Sequence, residues 1–115
     1  MNEKYDVIVI GAGAAGLMCS FEAGKRGKKV CLLEHSSKIA EKIRISGGGR
    51  CNFTNLFSTD SNFISDNKHF CKSAFSKYTQ DDFIKLVKTH KIDFYEKKLG
   101  QLFCTKSAKD IIEML

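Results

Sequence analysis

The feature that most constrains the fold is a glycine-rich turn that directly follows a short aliphatic run near the N-terminus. Val7 to Ile10 are all aliphatic, and the run from Gly11 to Gly16 then reads Gly-Ala-Gly-Ala-Ala-Gly. Consecutive aliphatic residues are typical of a parallel-sheet strand that is covered on both faces. In the G-x-G-x-x-G spacing, the glycines permit a tight turn, a close backbone approach to a pyrophosphate, and helix-on-strand packing. The stretch therefore predicts a dinucleotide-binding turn.

The residues after the turn support the same interpretation. Small and apolar residues at helical spacing predict a helix from Leu17, which Gly24 and Gly27 end before a second strand from Lys29 to Leu33. The start of that helix offers unpaired N–H groups and a positive dipole to a diphosphate. Glu34 follows the second strand, where a carboxylate accepts hydrogen bonds from ribose hydroxyls and repels a 2′-phosphate, which favours FAD or NAD over NADP. The alternative is a tight strand–helix turn that binds nothing.

Composition narrows the function further. The net charge is +6, but the 19 Lys and Arg residues are dispersed, which is typical of a solvated surface that suits an anionic cofactor. We therefore expect no nucleic-acid partner. The five cysteines show no C-x-x-C spacing, so we expect no metal site and a reducing, cytoplasmic location. Only Met1 to Lys4 precede the first strand and no apolar run reaches membrane-spanning length, so we expect neither a signal peptide nor a membrane partner.

A second glycine-rich segment, residues 41–55, is predicted to be a cofactor-binding loop. Its three consecutive glycines, Gly47 to Gly49, can place several backbone N–H groups around an anion or a flat ring. Arg50 adds a cation and Asn52 a neutral polar contact. The alternative is a flexible surface loop. Cys51 is either a redox or nucleophilic thiol whose pKa is lowered by Arg50, or a packing residue, and the sequence favours packing.

The rest of the chain predicts a helix, a hairpin and a C-terminal helix within residues 79–115. Thr79 and the acids after it are typical of a capped helix start. Ile92 to Cys104 predicts two short strands around Leu99-Gly100, and Ser107 opens a final helix. That last helix shows no stop signal and no partner for its apolar face. We therefore expect the chain to be an incomplete part of a larger fold.

Two segments together resemble one family. The turn from Gly11 to Leu17 and the run from Ile45 to Asn55 resemble the N-terminus of the BaiN-like NAD(P)/FAD-dependent oxidoreductases, also labelled aminoacetone-oxidase-like flavoproteins. The resemblance covers nearly the whole chain but only about the first quarter of such a protein. It implies an α/β fold: a Rossmann-like FAD-binding βαβ unit in residues 1–34, the glycine-rich loop, then helix, hairpin and helix, as part of an incomplete two-dinucleotide-fold flavoprotein.

The resemblance also implies FAD as the cofactor and assigns its binding residues. Glu34 would hold the adenosine ribose. The pyrophosphate would be bound by Gly11, Gly13, Ala14, Ala15 and Gly16. The contacts towards the flavin end would come from Lys42, Gly47, Gly48, Gly49, Arg50, Cys51 and Asn52.

Three functions follow as hypotheses. The first is an oxidoreductase segment that serves electron transfer from NAD(P)H to a small organic substrate, with the flavin carrying the chemistry and no catalytic residue assigned. It would act in a longer protein or with a separately encoded remainder. The second is a truncated or split remnant without independent catalytic activity. The third, a flavoprotein that acts on RNA, rests only on the positive charge and is the least favoured.

Overall fold

The computed structural model describes residues 2–115 and begins with the predicted βαβ unit. Strand β1 spans Val7–Ile10, helix α1 spans Ala14–Lys25 and strand β2 spans Val30–Leu33. The two strands pair in parallel, with Val7 opposite Val30 and Ile10 opposite Leu33. The Rossmann-like α/β prediction is confirmed, although both strands begin one or two residues later than the sequence indicated.

The remaining elements form a second, antiparallel sheet and four short helices. The sheet has the strand order β3-β5-β4. The order of helix, hairpin and helix within residues 79–115 is as predicted. The elements are α2 (Glu41–Ile45), β3 (Asn52–Asn55), α3 (Lys72–Lys77), α4 (Gln80–Thr89), β4 (Phe94–Glu96), β5 (Gln101–Cys104) and α5 (Lys109–Met114), with a kinked turn at Ser46–Gly49 and a 3₁₀ turn at Asp60–Asn62.

The segment predicted as one cofactor loop is more regular than the sequence indicated. Residues 41–55 divide into a helix, a kinked glycine turn and a strand. Strand β3 pairs with β5, with Asn52 opposite Phe103 and Asn55 opposite Gln101. Asparagine is depleted in strands, so the local sequence gives little strand signal. The free edge of β5, which lies far along the chain, supplies the pairing that makes this segment a strand.

A capping box starts helix α4, as predicted. The Thr79 N–H donates to the Asp82 carboxylate at 2.8 Å, and the Thr79 side chain accepts from the Asp82 N–H. The buried side of the helix includes Ile84 and Val87, whereas His90 at its end is exposed. The His90 ring bonds to the Leu86 carbonyl at the end of the helix, so its position is structural.

One hydrophobic core joins α1, α2, α4, β5 and α5. The prediction that α5 has no partner for its apolar face is wrong, because Ile111 is 2 % exposed and Met114 is 9 % exposed. Both side chains pack into the core beside α2. The core consists of Leu17, Ala40, Ile43, Cys51, Val87, Cys104, Ala108, Ile111 and Met114.

The parallel sheet is covered on one face only. The prediction of a strand buried on both faces is wrong for β1, because Ile8 is 63 % exposed and Ile10 is 86 % exposed. Leu33 on β2 is 50 % exposed, whereas Val7 and Val9 are half-buried. Helix α1 is the crossover between the strands, and a single crossover helix covers one face of a sheet.

Candidate functional site

The protein's own backbone conformation and packing require glycine at the first and third glycine positions of the turn. Gly11 has φ +101°, a conformation that L side chains rarely adopt. A Cβ on Gly16 would lie 1.7 Å from the carbonyl oxygen of Gly11, so α1 approaches the turn too closely for any side chain there. These two glycines set the angle at which the helix leaves the strand, as their spacing predicted.

Gly13 is different. Its φ of −86° and ψ of −169° are open to other residues, and a Cβ there would meet nothing within 4 Å. Neither backbone strain nor packing within residues 2–115 therefore requires a glycine at this position. Gly13 is also the N-cap of α1, where helix N–H groups lack partners within the helix. The arrangement leaves room for a group outside the protein to approach the start of the helix.

The Glu34 carboxylate is bound to the backbone at two points. Its Oε1 accepts from the Ala12 N–H at 2.9 Å, and its Oε2 accepts from the Ser36 N–H at 3.0 Å. These bonds, first from Ser36 and then from Ala12, lower the pKa of Glu34 to about 2, so the side chain is ionised at neutral pH. The structure thus ties Glu34 to the glycine turn, a structural role that the sequence did not reveal.

The second glycine-rich segment is tied to the rest of the protein by its backbone. The Gly49 carbonyl accepts from the Ala108 N–H at 2.8 Å, and the Arg50 carbonyl accepts from the Cys104 N–H at 2.9 Å. Gly47, Gly48 and Gly49 have φ values of +56°, +65° and +90°. The glycines therefore permit an unusual turn that is fixed against β5 and α5. This argues against a flexible surface loop.

Cys51 is a packing residue in this arrangement. Its side chain is 5 % exposed, and burial raises the pKa of its thiol above the ordinary value. Burial also raises the pKa of Cys104 to about 12. The alternative of a Cys51 thiol with a lowered pKa is wrong, because desolvation outweighs any effect of the neighbouring Arg50, whose own side chain is exposed.

A cleft of about 940 Å³ brings part of the predicted site together. Of the predicted residues, it is lined by Ala14, Ala15, Lys42, Cys51 and Asn52. The rest of the predicted set lies outside this lining. That remainder comprises Gly11, Gly13, Gly16, Glu34, Gly47, Gly48, Gly49 and Arg50.

The sequence did not identify the apolar wall of the cleft. Met18, Tyr78, Phe83, Ile111 and Leu115 contribute to it. For Met18 a signal was present, since it follows Ala14 by four residues and so shares a helix face with it. Tyr78 and Leu115 carry no local signal, because only the packing of α4 and α5 brings them to α1.

Residues 2–115 contain neither a candidate metal site nor a membrane-spanning helix. No cluster of three or more His, Cys, Asp or Glu side chains there could hold a metal ion. Within the same residues, every helix is too short or too polar to cross a membrane.

Comparison with known proteins decides the family. Residues 5–115 match the HI0933-like protein Rossmann domain. The chain belongs to the HI0933-like Rossmann family. Together with the parallel strand pair, this membership makes the chain a dinucleotide-binding segment.

Several curated proteins are similar to this HI0933-like chain. It is 54% identical over 113 residues to the ribosomal RNA dihydrouridine synthase of Escherichia coli, and the aligned region covers 98% of this chain and 28% of that protein. It is 50% identical over 115 residues to the enzyme of the same name from Haemophilus influenzae, covering 100% of this chain and 29% of that protein. A digeranylgeranylglycerophospholipid reductase from Methanocaldococcus jannaschii is 46% identical over 44 residues, covering 38% of this chain and 11% of that protein. The HI0933-like chain thus spans less than a third of these relatives.

Proposed function

We propose that this chain is the FAD-binding segment of a flavin-dependent oxidoreductase of the BaiN-like kind. The observation that carries the proposal is Gly13, whose missing side chain leaves open space at the start of α1. A pyrophosphate suits this position, since it can take hydrogen bonds from the free N–H groups of a helix start and is favoured by the helix dipole. Glu34, ionised and fixed beside Ala12, disfavours a 2′-phosphate and so favours FAD over NADP.

The residues of the proposed site divide by the part of FAD that each would hold. The pyrophosphate would lie against the backbone of Gly11, Gly13, Ala14, Ala15 and Gly16, and the ribose would lie near Glu34. Lys42 and residues 47–52 would contact the flavin half, because Lys42, Cys51 and Asn52 share the cleft with Ala14 and Ala15. When bound, FAD would supply two-electron transfer from NAD(P)H to an acceptor. The contribution of this chain is to bind and orient it.

For the acceptor we propose a uridine base of ribosomal RNA. The support is the name shared by the two relatives that cover nearly all of this chain at 54% and 50% identity. The reaction adds two electrons and two protons across the C5–C6 double bond of uracil, giving dihydrouridine. This acceptor replaces the small organic substrate expected from the sequence, and it departs from the expectation that nucleic acid is not a partner.

The FAD proposal is tested with the 115-residue chain and free FAD. We expect saturable binding with one FAD per chain, and at least about tenfold weaker binding by Gly13→Val, since a branched side chain would fill the pyrophosphate position. Gly24→Ala is the control, because a Cβ at Gly24 also meets nothing within 4 Å but lies away from the turn. Absence of binding by a chain that circular dichroism shows to be folded would overturn the proposal.

The acceptor is tested separately in cells. Deletion of the gene for the full protein that carries this segment should remove a dihydrouridine from ribosomal RNA, measured by mass spectrometry of nuclease digests. Return of the wild-type gene should restore it, and return of the Gly13→Val gene should not. Unchanged dihydrouridine content after deletion would exclude ribosomal RNA as the acceptor while leaving the FAD proposal intact.

A second candidate, a segment without catalytic activity of its own, is favoured by the uncovered face of the parallel sheet. Ile8, Ile10 and Leu33 leave apolar surface in water, which a separately encoded remainder would cover. Activity with NADH or NADPH and RNA is then expected only when that remainder is present. Turnover by the 115-residue chain with FAD would exclude this candidate.

A further inference from the structure

Two exposed apolar side chains and two exposed lysines are found at and beside the tip of the β4–β5 hairpin. We define the tip surface as Phe57, Lys97, Lys98 and Leu99. Phe57 is 69 % exposed and Leu99 is 79 % exposed, and both lysines are exposed. Neither Phe57 nor Leu99 belongs to the hydrophobic core around Cys104, so the core does not explain why these apolar side chains are present.

The structure fixes Phe57 against the hairpin although the two are far apart in sequence. The Leu56 N–H donates to the Gly100 carbonyl at 2.9 Å, and the Asn55 side-chain amide donates to the Leu99 carbonyl at 2.9 Å. A Cβ on Gly100 would lie 2.6 Å from the Phe57 ring, so the ring packs directly on this glycine. The ring is thus held in position while most of its surface stays open.

The charges of the tip define the chemistry that suits it. Lys97 and Lys98 directly precede Leu99, whose carbonyl accepts from the Asn55 side chain two residues before Phe57. The Lys97 ammonium itself lies 5.4 Å from the centroid of another ring, Phe103. Glu96 at the end of β4 is the nearest carboxylate along the hairpin, so the tip residues 96–99 keep a positive balance. An open aromatic face with adjacent cations is the arrangement that proteins use for single-stranded nucleic acid, where bases stack and phosphates pair with lysine.

We propose that the tip surface binds single-stranded RNA, with a base stacked on Phe57 and the backbone phosphates against Lys97 and Lys98. This inference rests on the proposed RNA acceptor and gives that acceptor a docking place on this chain. The positive charge favours a phosphate backbone over a second copy of the chain, which would bring the same lysines into contact with each other.

The test measures binding of a fluorescein-labelled oligouridylate to the 115-residue chain at several salt concentrations. The double variant Lys97→Ala/Lys98→Ala should bind more weakly and lower the slope of log affinity against log salt by about 1.4, since each phosphate contact on a single strand contributes about 0.7. Phe57→Leu keeps an apolar contact with Gly100 but lacks a π face. It should weaken binding about tenfold with the salt slope unchanged.

The matched control is Lys85→Ala/Lys88→Ala, which removes the same charge from exposed positions on α4. It should change affinity only slightly. Equal losses of RNA affinity in the control and tip variants, or no RNA binding by the wild type, would overturn the proposal that the tip surface binds RNA. In a further opposing outcome, the wild type forms a dimer in sedimentation experiments and loses it on Phe57→Leu substitution, while RNA binding stays unchanged. That result would overturn the RNA proposal in favour of a contact between two copies of the chain. FAD uptake, measured on the same samples, separates each result from failure of the FAD proposal.

Discussion

The Glu34 carboxylate accepts a hydrogen bond from the Ala12 N–H at 2.9 Å, joining the end of β2 to the glycine turn that follows β1. The same carboxylate accepts from the Ser36 N–H, so it also fixes the chain after β2. One acid therefore holds together the two loops at the carboxyl edge of the parallel sheet. Ligands of open α/β sheets bind at that edge.

The first prediction concerns acid stability. Because the pKa of Glu34 is lowered from 4.5 to about 2, its contribution to stability is fully present above pH 4.5 and is lost as the pH falls through about 2. Glu34→Gln should lower the melting temperature at pH 7, and its difference from the wild type should shrink between pH 5 and pH 2. Thermal melts by circular dichroism across this range provide the measurement. Glu96→Gln, at an exposed position on β4, is the control, and a difference that does not depend on pH would contradict the assignment.

The second prediction concerns the third glycine of the turn. Gly16→Ala places a Cβ 1.7 Å from the Gly11 carbonyl oxygen, so α1 or the turn must move. We expect a loss of about 1–3 kcal/mol in the free energy of unfolding, typical of overpacking. Gly24→Ala, in the same helix with open space around it, should instead be neutral or stabilising by up to about 1 kcal/mol. Urea denaturation measures both, and equal effects would show that the contact with Gly11 does not determine stability.

The third prediction concerns the capping box of α4. Thr79→Ala removes the side chain that accepts from the Asp82 N–H and should cost about 1 kcal/mol of unfolding free energy. Thr89→Ala removes an exposed hydroxyl that bonds to the Lys85 carbonyl within the same helix, and it should cost less. The comparison uses urea denaturation of both variants. A larger loss for Thr89→Ala would contradict the importance of the cap.

The fourth prediction concerns the order in which thiols react. Iodoacetamide at pH 8 should modify Cys19 first, because its side chain is exposed. Cys51 and Cys104 should react slowly, since both are buried with raised thiol pKa values. Peptide mass spectrometry over time gives the order, and all sites should react alike in urea. Rapid modification of Cys51 in the folded chain would revive its role as a reactive thiol.

The sequence was informative where a residue acts through its own backbone or its near neighbours. The G-x-G-x-x-G spacing predicted the turn of φ +101° at Gly11 and the close packing at Gly16. Thr79 and Asp82 predicted the start of α4 because a capping box spans only four residues. The hairpin around Gly100 was predicted for the same reason. Each of these features is complete within a short stretch of chain.

The sequence failed where partners come from distant parts of the chain. Strand β3 exists because β5 pairs with it, and α5 is covered because α2 and the core lie against it. The two-sided burial expected of β1 failed for a related reason. Alternation along a strand shows which residues share a face but not whether any element covers that face.

The sequence by itself determined that the chain begins with a strand–turn–helix dinucleotide-binding unit, because glycine conformation and helix capping are local properties. Only the tertiary structure decided how that unit is used. It tied Glu34 to Ala12, buried Cys51 beside Cys104, and brought Lys42 and Tyr78 to one cleft beside α1. Those relationships depend on the packing of elements far apart in the chain, and no spacing along the sequence encodes them.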